Sequence, residues 1–151
     1  MTDRPPEVQV RPFQEPDRAE VVRLWTDCGL VRPQNDPDRD IDLKQNFQPD
    51  LFLVGTTGGR IAATVMAGYD GHRGWINYLA VAPDLRRQGW GRLILAEAGR
   101  RLQDLGCPKI NLQVRRSNSE AVEFYRKIGF IEDEVLSLGR RLAPPAADSD
   151  L

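Results

Sequence analysis

Leu85-Arg86-Arg87-Gln88-Gly89-Trp90-Gly91-Arg92 separates two segments of different periodicity. Before it, Trp75-Ile76-Asn77-Tyr78-Leu79-Ala80-Val81 is an apolar run that stops at Pro83. After it, Leu95, Ala98, Leu102 and Leu105 recur every three or four residues until Gly106 and Pro108. The stretch therefore joins a strand to the N-terminus of a long helix. Backbone N–H groups at a helix start lack intrahelical partners and carry partial positive charge, so a turn without bulky Cβ atoms can wrap them around a phosphate. Gly89 and Gly91 remove obstructing side chains, and Arg86, Arg87 and Arg92 add guanidinium groups that chelate phosphate oxygens in pairs. A di-anionic pyrophosphate suits this turn. No Gly-Lys-Ser/Thr follows, which argues against a Walker A loop, and the third glycine of the dinucleotide fingerprint is missing. The competing reading, a relaxed turn among solvated arginines, loses weight because the turn falls at a strand-to-helix junction.

Working outward, Val8, Val10 and Phe13 alternate with polar residues as a first strand, and Ala19, Val22, Leu24 and Trp25 follow Pro16 at helical spacing. Prolines and acidic residues from Leu30 to Asp40 predict a loop, with a short helix around Ile41 to Phe47. Leu51–Val54 and Ile61–Met66 read as strands paired through Thr56-Thr57-Gly58-Gly59, and the turn Asp70–Gly74 adds 75–81 to the meander. Beyond the long helix, Ile110, Leu112 and Val114 predict a strand, Ala121, Phe124, Tyr125 and Ile128 a helix stopped by Gly129, and Phe130–Leu138 a final strand. The expected fold is α/β, a mixed and mostly antiparallel sheet flanked by helices, in the order β-α-α-β-β-β-α-β-α-β. Residues 8–142 form the expected domain, between a disordered lead-in at 1–7 and a disordered Pro/Ala/acidic tail at 143–151.

The 151 residues suit one domain, and 21 basic against 22 acidic residues leave a net charge of −1, so no whole-chain attraction to nucleic acid or anionic membrane is expected. Cys28 and Cys107 have neither CxxC spacing nor disulfide-scaffold density, and the single histidine, His72, lacks companions for a zinc site. No metal is expected. Without an apolar leader or a run of about 20 apolar residues, a soluble cytoplasmic protein is expected.

Arg86-Arg87-Gln88-Gly89-Trp90-Gly91 resembles the Gln/Arg-x-x-Gly-x-Gly/Ala signature of the GNAT acetyltransferases. Asn118-Ser119-Glu120-Ala121-Val122-Glu123-Phe124-Tyr125-Arg126-Lys127-Ile128-Gly129-Phe130 resembles the second motif of that superfamily, and the likeness covers about residues 8 to 139. Asn35-Asp36-Pro37 and Gly68–Trp75 further resemble the bacterial YpeA branch and its ribosomal-protein-acetylating relatives. The resemblance implies an acetyl-CoA-dependent N-acetyltransferase whose coenzyme lies in a V-shaped opening between the fourth and fifth strands, 75–81 and 109–114. It implies that the backbone of Leu79, Ala80 and Val81 pairs with the pantetheine arm, and that Arg86, Arg87, Gln88, Gly89, Trp90, Gly91 and Arg92 hold the pyrophosphate. Asn118 and Tyr125 then flank the arm, on one face of their helix. The implied partners are acetyl-CoA and an amine of a protein or small molecule, with neither nucleic acid nor membrane; a homodimer is compatible with the sequence.

Acetyl transfer from a thioester needs a neutral amine, stabilisation of the oxyanion and a proton for the departing thiolate. Tyr125, a phenol with an ordinary pKa of about 10, is the candidate acid; its alternative role is aromatic packing beside Phe124. Asn118 is alternatively an N-cap. Trp75 stands where some members of the superfamily carry a glutamate base, which leaves Asp70, His72, Glu132 or a water held by Asn77 or Tyr78. The first two helices and their loop would build the acceptor side, with Trp25, Arg32, Asp36, Asp38, Asp40 and Asp42; the aspartates suit a cationic amine or simply a solvated loop. Two other classes compete: a non-catalytic acyl-CoA sensor or interaction module that leaves Tyr125 unused, and a nucleic-acid module using Arg86, Arg87, Arg92, Arg115 and Arg116. Neutral net charge and the lack of an aromatic-basic ribbon weigh against the latter.

Overall fold

The computed structural model describes residues 7–144. Apart from Glu7, Ala143 and Pro144, the two ends expected to be disordered lie outside the described residues. Strands β1 (Val8–Pro12), β2 (Phe52–Thr57), β3 (Arg60–Tyr69), β4 (Gly74–Val81) and β5 (Ile110–Leu112) form one sheet in sequential order. Pairing is antiparallel from β1 to β4 and parallel between β4 and β5. The β2–β3 hairpin turns at Gly58 and Gly59, both with positive φ (57° and 77°), the backbone that a two-residue turn between twisted strands demands.

A parallel step needs a crossover, and α3 (Trp90–Asp104) supplies it. Its stripe of Ile94, Ala98 and Leu102 packs with Leu53, Ala63, Val65 and Ile76 on one face of the sheet. Helices α1 (Arg18–Asp27) and α2 (Pro37–Gln45) cover the other face, where Val21, Trp25 and Ile41 meet Phe13, Phe52, Val54 and Met66. Both faces of β2 are thus covered, which is why Leu51-Phe52-Leu53-Val54 is continuously apolar rather than alternating. The last helix, α4, spans Ser119–Lys127.

Two expected boundaries change. The predicted loop over 30–40 ends at Asp36, because Asp36 Oδ1 caps α2 by accepting from the N–H groups of Asp38 (3.0 Å) and Arg39 (3.3 Å), and Pro37 follows at the first helical position. The predicted strand Phe130–Leu138 is absent. That stretch is irregular, with Ile131, Val135, Leu136 and Leu138 at least 76% exposed. It carries three successive acidic residues, Glu132-Asp133-Glu134, of types depleted in strands, and β5 offers only three residues as a template. Side chains alone bridge the two: Lys109 to Asp133 at 2.9 Å, and Gln113 to Ser137. The resulting groove, about 1730 Å³, is lined by Tyr125 but not by the 85–92 turn.

Candidate active site

Helix α3 starts from Gly89, whose φ of +87° lies in the left-handed region, and no atom stands within 4 Å of where a Cβ would be. No side chain caps the helix and no acidic residue sits in its first turn. The first helical bond runs from Leu93 N–H to Gly89 C=O at 3.0 Å, so the N–H groups ahead of it are unclaimed by the helix. Arg86, Arg87, Gln88 and Arg92 are exposed around this start, and none of the three arginines pairs with a carboxylate among the described residues. Arg87 holds a φ of +64°, a conformation costing a non-glycine residue about 1–2 kcal/mol. The turn is therefore positive, open and strained.

Its other two members have different jobs. The Trp90 side chain is 7% exposed and packs on β2, where a Cβ at Gly55 would stand 3.0 Å from the ring, leaving its backbone N–H as its possible contact with a ligand. At Gly91, a Cβ would fall 2.9 Å from Phe124 Cζ. The missing side chain there lets Phe124 of α4 approach the start of α3 closely, and Tyr125 is the next residue on that helix.

Beyond the turn, β4 and β5 diverge. They pair only at Gly74–Ile110, Trp75–Asn111 and Ile76–Leu112, after which β5 ends and β4 runs on to Val81. Ala80 and Val81 thus pair with β3 on one side, Leu79 lies at the irregularity beside them, and among the described residues no strand flanks the three on the other side. A bulge bends β4 at this point: Thr64 faces Ala80 while Met66 faces Asn77, so Tyr78 and Leu79 both oppose Val65, and Tyr78 takes a φ of +50°. Wholly buried Thr64 secures the bulge, its hydroxyl accepting from Trp25 Nε1 at 2.8 Å and donating to the Tyr78 carbonyl at 2.9 Å.

Tyr125 sits edge-on between Phe124 (5.2 Å) and Phe130 (5.5 Å) and packs with the cluster that includes Leu79 and Val81. Burial pushes its phenol up to about 12, so it stays protonated near neutral pH. Its hydroxyl has no hydrogen-bond partner among the described residues. Asn118 caps α4, its Oδ1 accepting from Ala121 N–H at 3.2 Å, which is the structural alternative for this residue.

On the other face, Tyr78 stacks on Trp25 with ring centroids 3.8 Å apart, and its hydroxyl accepts from Asn35 Nδ2 (2.7 Å) while donating to the Asp40 carboxylate. Burial, then the bond to Asp40, raises its pKa, so this phenol too stays protonated. The four aspartates of this stretch are each engaged: Asp36 caps α2, Asp40 holds Tyr78, and Asp38 and Asp42 pair with Arg18 at 3.2 and 2.6 Å. Arg32 and His72 are exposed. Asp70 is tied to the N–H groups of Arg73 and His72, each at 2.7 Å, which hold its carboxyl below the usual range. Glu132 is ion-paired with Arg116 and Arg126 at 3.7 and 3.8 Å.

Residues 16–130 match the model of the Acetyltransferase (GNAT) family. The chain belongs to the GNAT acetyltransferases. An acetyltransferase of Yersinia enterocolitica is 42% identical over 135 residues, an overlap taking in 89% of this chain and 96% of the relative. Among solved structures, Ard1 from Thermoplasma volcanium superposes with a TM-score of 0.75 at 25% identity, covering 82% of each chain. The aminoglycoside N-acetyltransferase AAC(6')-Iy, solved with CoA, superposes at 0.73 over 95% of this chain and all of its own, at 15% identity, and so shares the fold.

Of the base candidates in this acetyltransferase, Asp70 and Glu132 are occupied by hydrogen bonds and ion pairs, whereas Asn77 is exposed on the α1–α2 side. No group of three or more His, Cys, Asp or Glu is placed to hold a metal among the described residues, and no helix there is long and apolar enough to cross a membrane. Two residues escaped the sequence reading. Thr64 stood as the one hydroxyl in the apolar run Ile61–Met66, a signal that could have marked it. Lys44, on α2, is 8% exposed, and nothing in its local sequence announces burial.

Proposed function

We propose that this acetyltransferase takes acetyl-CoA as donor and transfers the acetyl group to an amine. The observation that carries the reading is the uncapped start of α3, with three exposed arginines that have no carboxylate partner among the described residues, beyond the end of the strand whose edge β5 leaves open. The pyrophosphate would rest on the first-turn N–H groups with Arg86, Arg87 and Arg92, while the arm would lie along Leu79, Ala80 and Val81 in place of a strand. A protein with the same fold has been solved with CoA, which supports the choice of donor.

The acceptor amine, deprotonated, attacks the thioester carbonyl carbon from the α1–α2 side. The C–N bond forms, the C–S bond breaks, and the departing thiolate takes the Tyr125 phenolic proton; the amine's extra proton leaves to water, and the tyrosinate regains a proton from water. Tyr125 fits this role because it is protonated at neutral pH and its hydroxyl has no hydrogen-bond partner among the described residues. Asn118, as the α4 cap, fixes the start of the helix that carries Tyr125. The test is mass spectrometry of a panel of peptides and small amines incubated with acetyl-CoA and the protein. A mass gain of one acetyl group with stoichiometric CoA release supports the reading; acetyl-CoA binding without transfer to any amine favours a non-catalytic sensor.

A further inference from the structure

Three polar or charged side chains are buried among the described residues, and two are satisfied: Asp17 by Arg11 at 2.7 and 2.9 Å, and Thr64 by its two hydrogen bonds. The third, Lys44, is 8% exposed, and its ammonium has neither a hydrogen bond nor an ion pair among the described residues. The stem is buried while the ammonium keeps a narrow opening to solvent through the adjoining pocket, so it is a partly desolvated charge without a counter-ion among the described residues. Burial lowers its pKa to about 8, against the opposing field of Asp50.

Lys44 faces a pocket of about 190 Å³, with Phe47, Met66, Tyr69, Trp75 and Asn77 among its walls. Nζ lies 5.8 Å from the Phe47 ring centroid, and Phe47 and Trp75 are exposed large hydrophobics. A Cβ at Gly68 would stand 3.6 Å from Nζ, so the absence of a side chain there keeps the space in front of the ammonium open. The nearby Gln48 amide is spent on both backbone groups of Tyr69, at 2.8 Å each. Asp70, the one carboxylate in the pocket wall, is engaged with the His72 and Arg73 N–H groups. Ile76 packs toward α3, so by strand alternation Trp75 and Asn77 face α2, just ahead of the Tyr78 bulge where the β4–β5 opening begins.

We propose that this pocket receives a carboxylate of the acceptor, so that the amine acetylated belongs to a small, amino-acid-like molecule. The ammonium of Lys44 pairs with the carboxylate, and Phe47, Met66 and Trp75 cover its apolar part. A single positive charge in so small a space, without arginine, matches a mono-anion better than a phosphate dianion. The inference rests on the reading of the opening as the acetyl-transfer site.

The test uses the full chain and the product-like probe N-acetylvaline, compared by calorimetry with its primary amide and with N-acetyl aminoethyl phosphate. Wild type should bind the carboxylate about tenfold or more tightly than the amide, as a charge-assisted bond would require. Lys44→Met, and Lys44→Gln as a second variant, should bind the two alike while keeping acetyl-CoA affinity. Equal binding of carboxylate and amide by wild type, a preference that survives in either folded variant, or tighter binding of the phosphate would overturn the proposal. Acetyl-CoA is titrated into the same preparations: binding of acetyl-CoA without carboxylate preference contradicts this inference alone, and failure of wild type to bind acetyl-CoA contradicts the donor assignment.

Discussion

Thr64→Val tests the physical link between the core and the site. The substitution keeps the branched shape and nearly the volume, so no cavity forms, and it removes one oxygen at a wholly buried position. That oxygen accepts from Trp25 Nε1 at 2.8 Å and donates to the Tyr78 carbonyl at 2.9 Å. Without it a buried indole N–H has lost its acceptor and the bulge carbonyl has lost a donor. Each buried group left unsatisfied costs about 1–3 kcal/mol, about 2–6 kcal/mol for the two, and the added apolar burial of valine offsets part of it, leaving an expected loss of about 2–4 kcal/mol. For a chain of this length that lowers Tm by roughly 5–15 °C. Urea denaturation should show a reduced midpoint with an unchanged slope, since the surface exposed on unfolding is the same. Thr64→Ser, which keeps the hydroxyl and loses a methyl, should lose only about 1 kcal/mol. The bulge at Tyr78 should also loosen in the valine variant, lowering kcat before the fold is lost. Stability of Thr64→Val within about 0.5 kcal/mol of wild type, or equal losses in Ser and Val, would refute the argument.

Tyr125→Phe keeps the ring and deletes the proton; kcat for an identified acceptor should fall by about 100-fold where chemistry limits turnover, with acetyl-CoA Kd nearly unchanged, and equal kcat values would reduce Tyr125 to a packing residue. Gly91→Ala forces Phe124 to move from a 2.9 Å overlap, which should cost about 1–3 kcal/mol in a chemical melt and lower kcat by displacing Tyr125. Lys44 gives a pH signature: because its folded pKa of about 8 lies below the ordinary 10.5, the unfolded chain holds a proton that the folded chain has lost between those values, and stability rises with pH across that window. Below pH 8 both states are protonated and the desolvation penalty applies, so Lys44→Met should be more stable than wild type at pH 7 and the gap should close above pH 10.5, as read by parallel urea titrations.

The elements were legible where one pattern spoke alone. The stripe Leu95, Ala98, Leu102 and the stop at Gly106 located α3, and the Gly58–Gly59 turn located the hairpin. The start of α2 was misjudged because Asp36-Pro37 serves equally as a loop signal and as a cap followed by a first-turn proline; the hydrogen bonds from Asp38 and Arg39 decide it. The strand expected at Phe130–Leu138 followed its apolar residues, but a strand also needs a partner, and periodicity says nothing about whether β5 is long enough to be one. In the site, the glycines and arginines of the turn were visible as chemistry. That Gly91 makes room for Phe124, and that Trp90 belongs to the core, depends on contacts between residues 33 and 35 positions apart, which no local spacing encodes. The four aspartates read as a free acidic patch because Arg18, which neutralises two of them, lies on another helix.

The central claim is that acetyl-CoA is held by the start of α3. Gly89→Asp places a carboxylate at a position where the space is open and the N–H groups are unclaimed, and forces a left-handed φ on a residue that tolerates it better than most. The most direct measurement is calorimetric titration of acetyl-CoA into wild type and Gly89→Asp, after circular dichroism has shown the variant folded. The account predicts saturable one-to-one binding by wild type and at least about tenfold weaker binding by the variant. Equal affinity in the two proteins would contradict it.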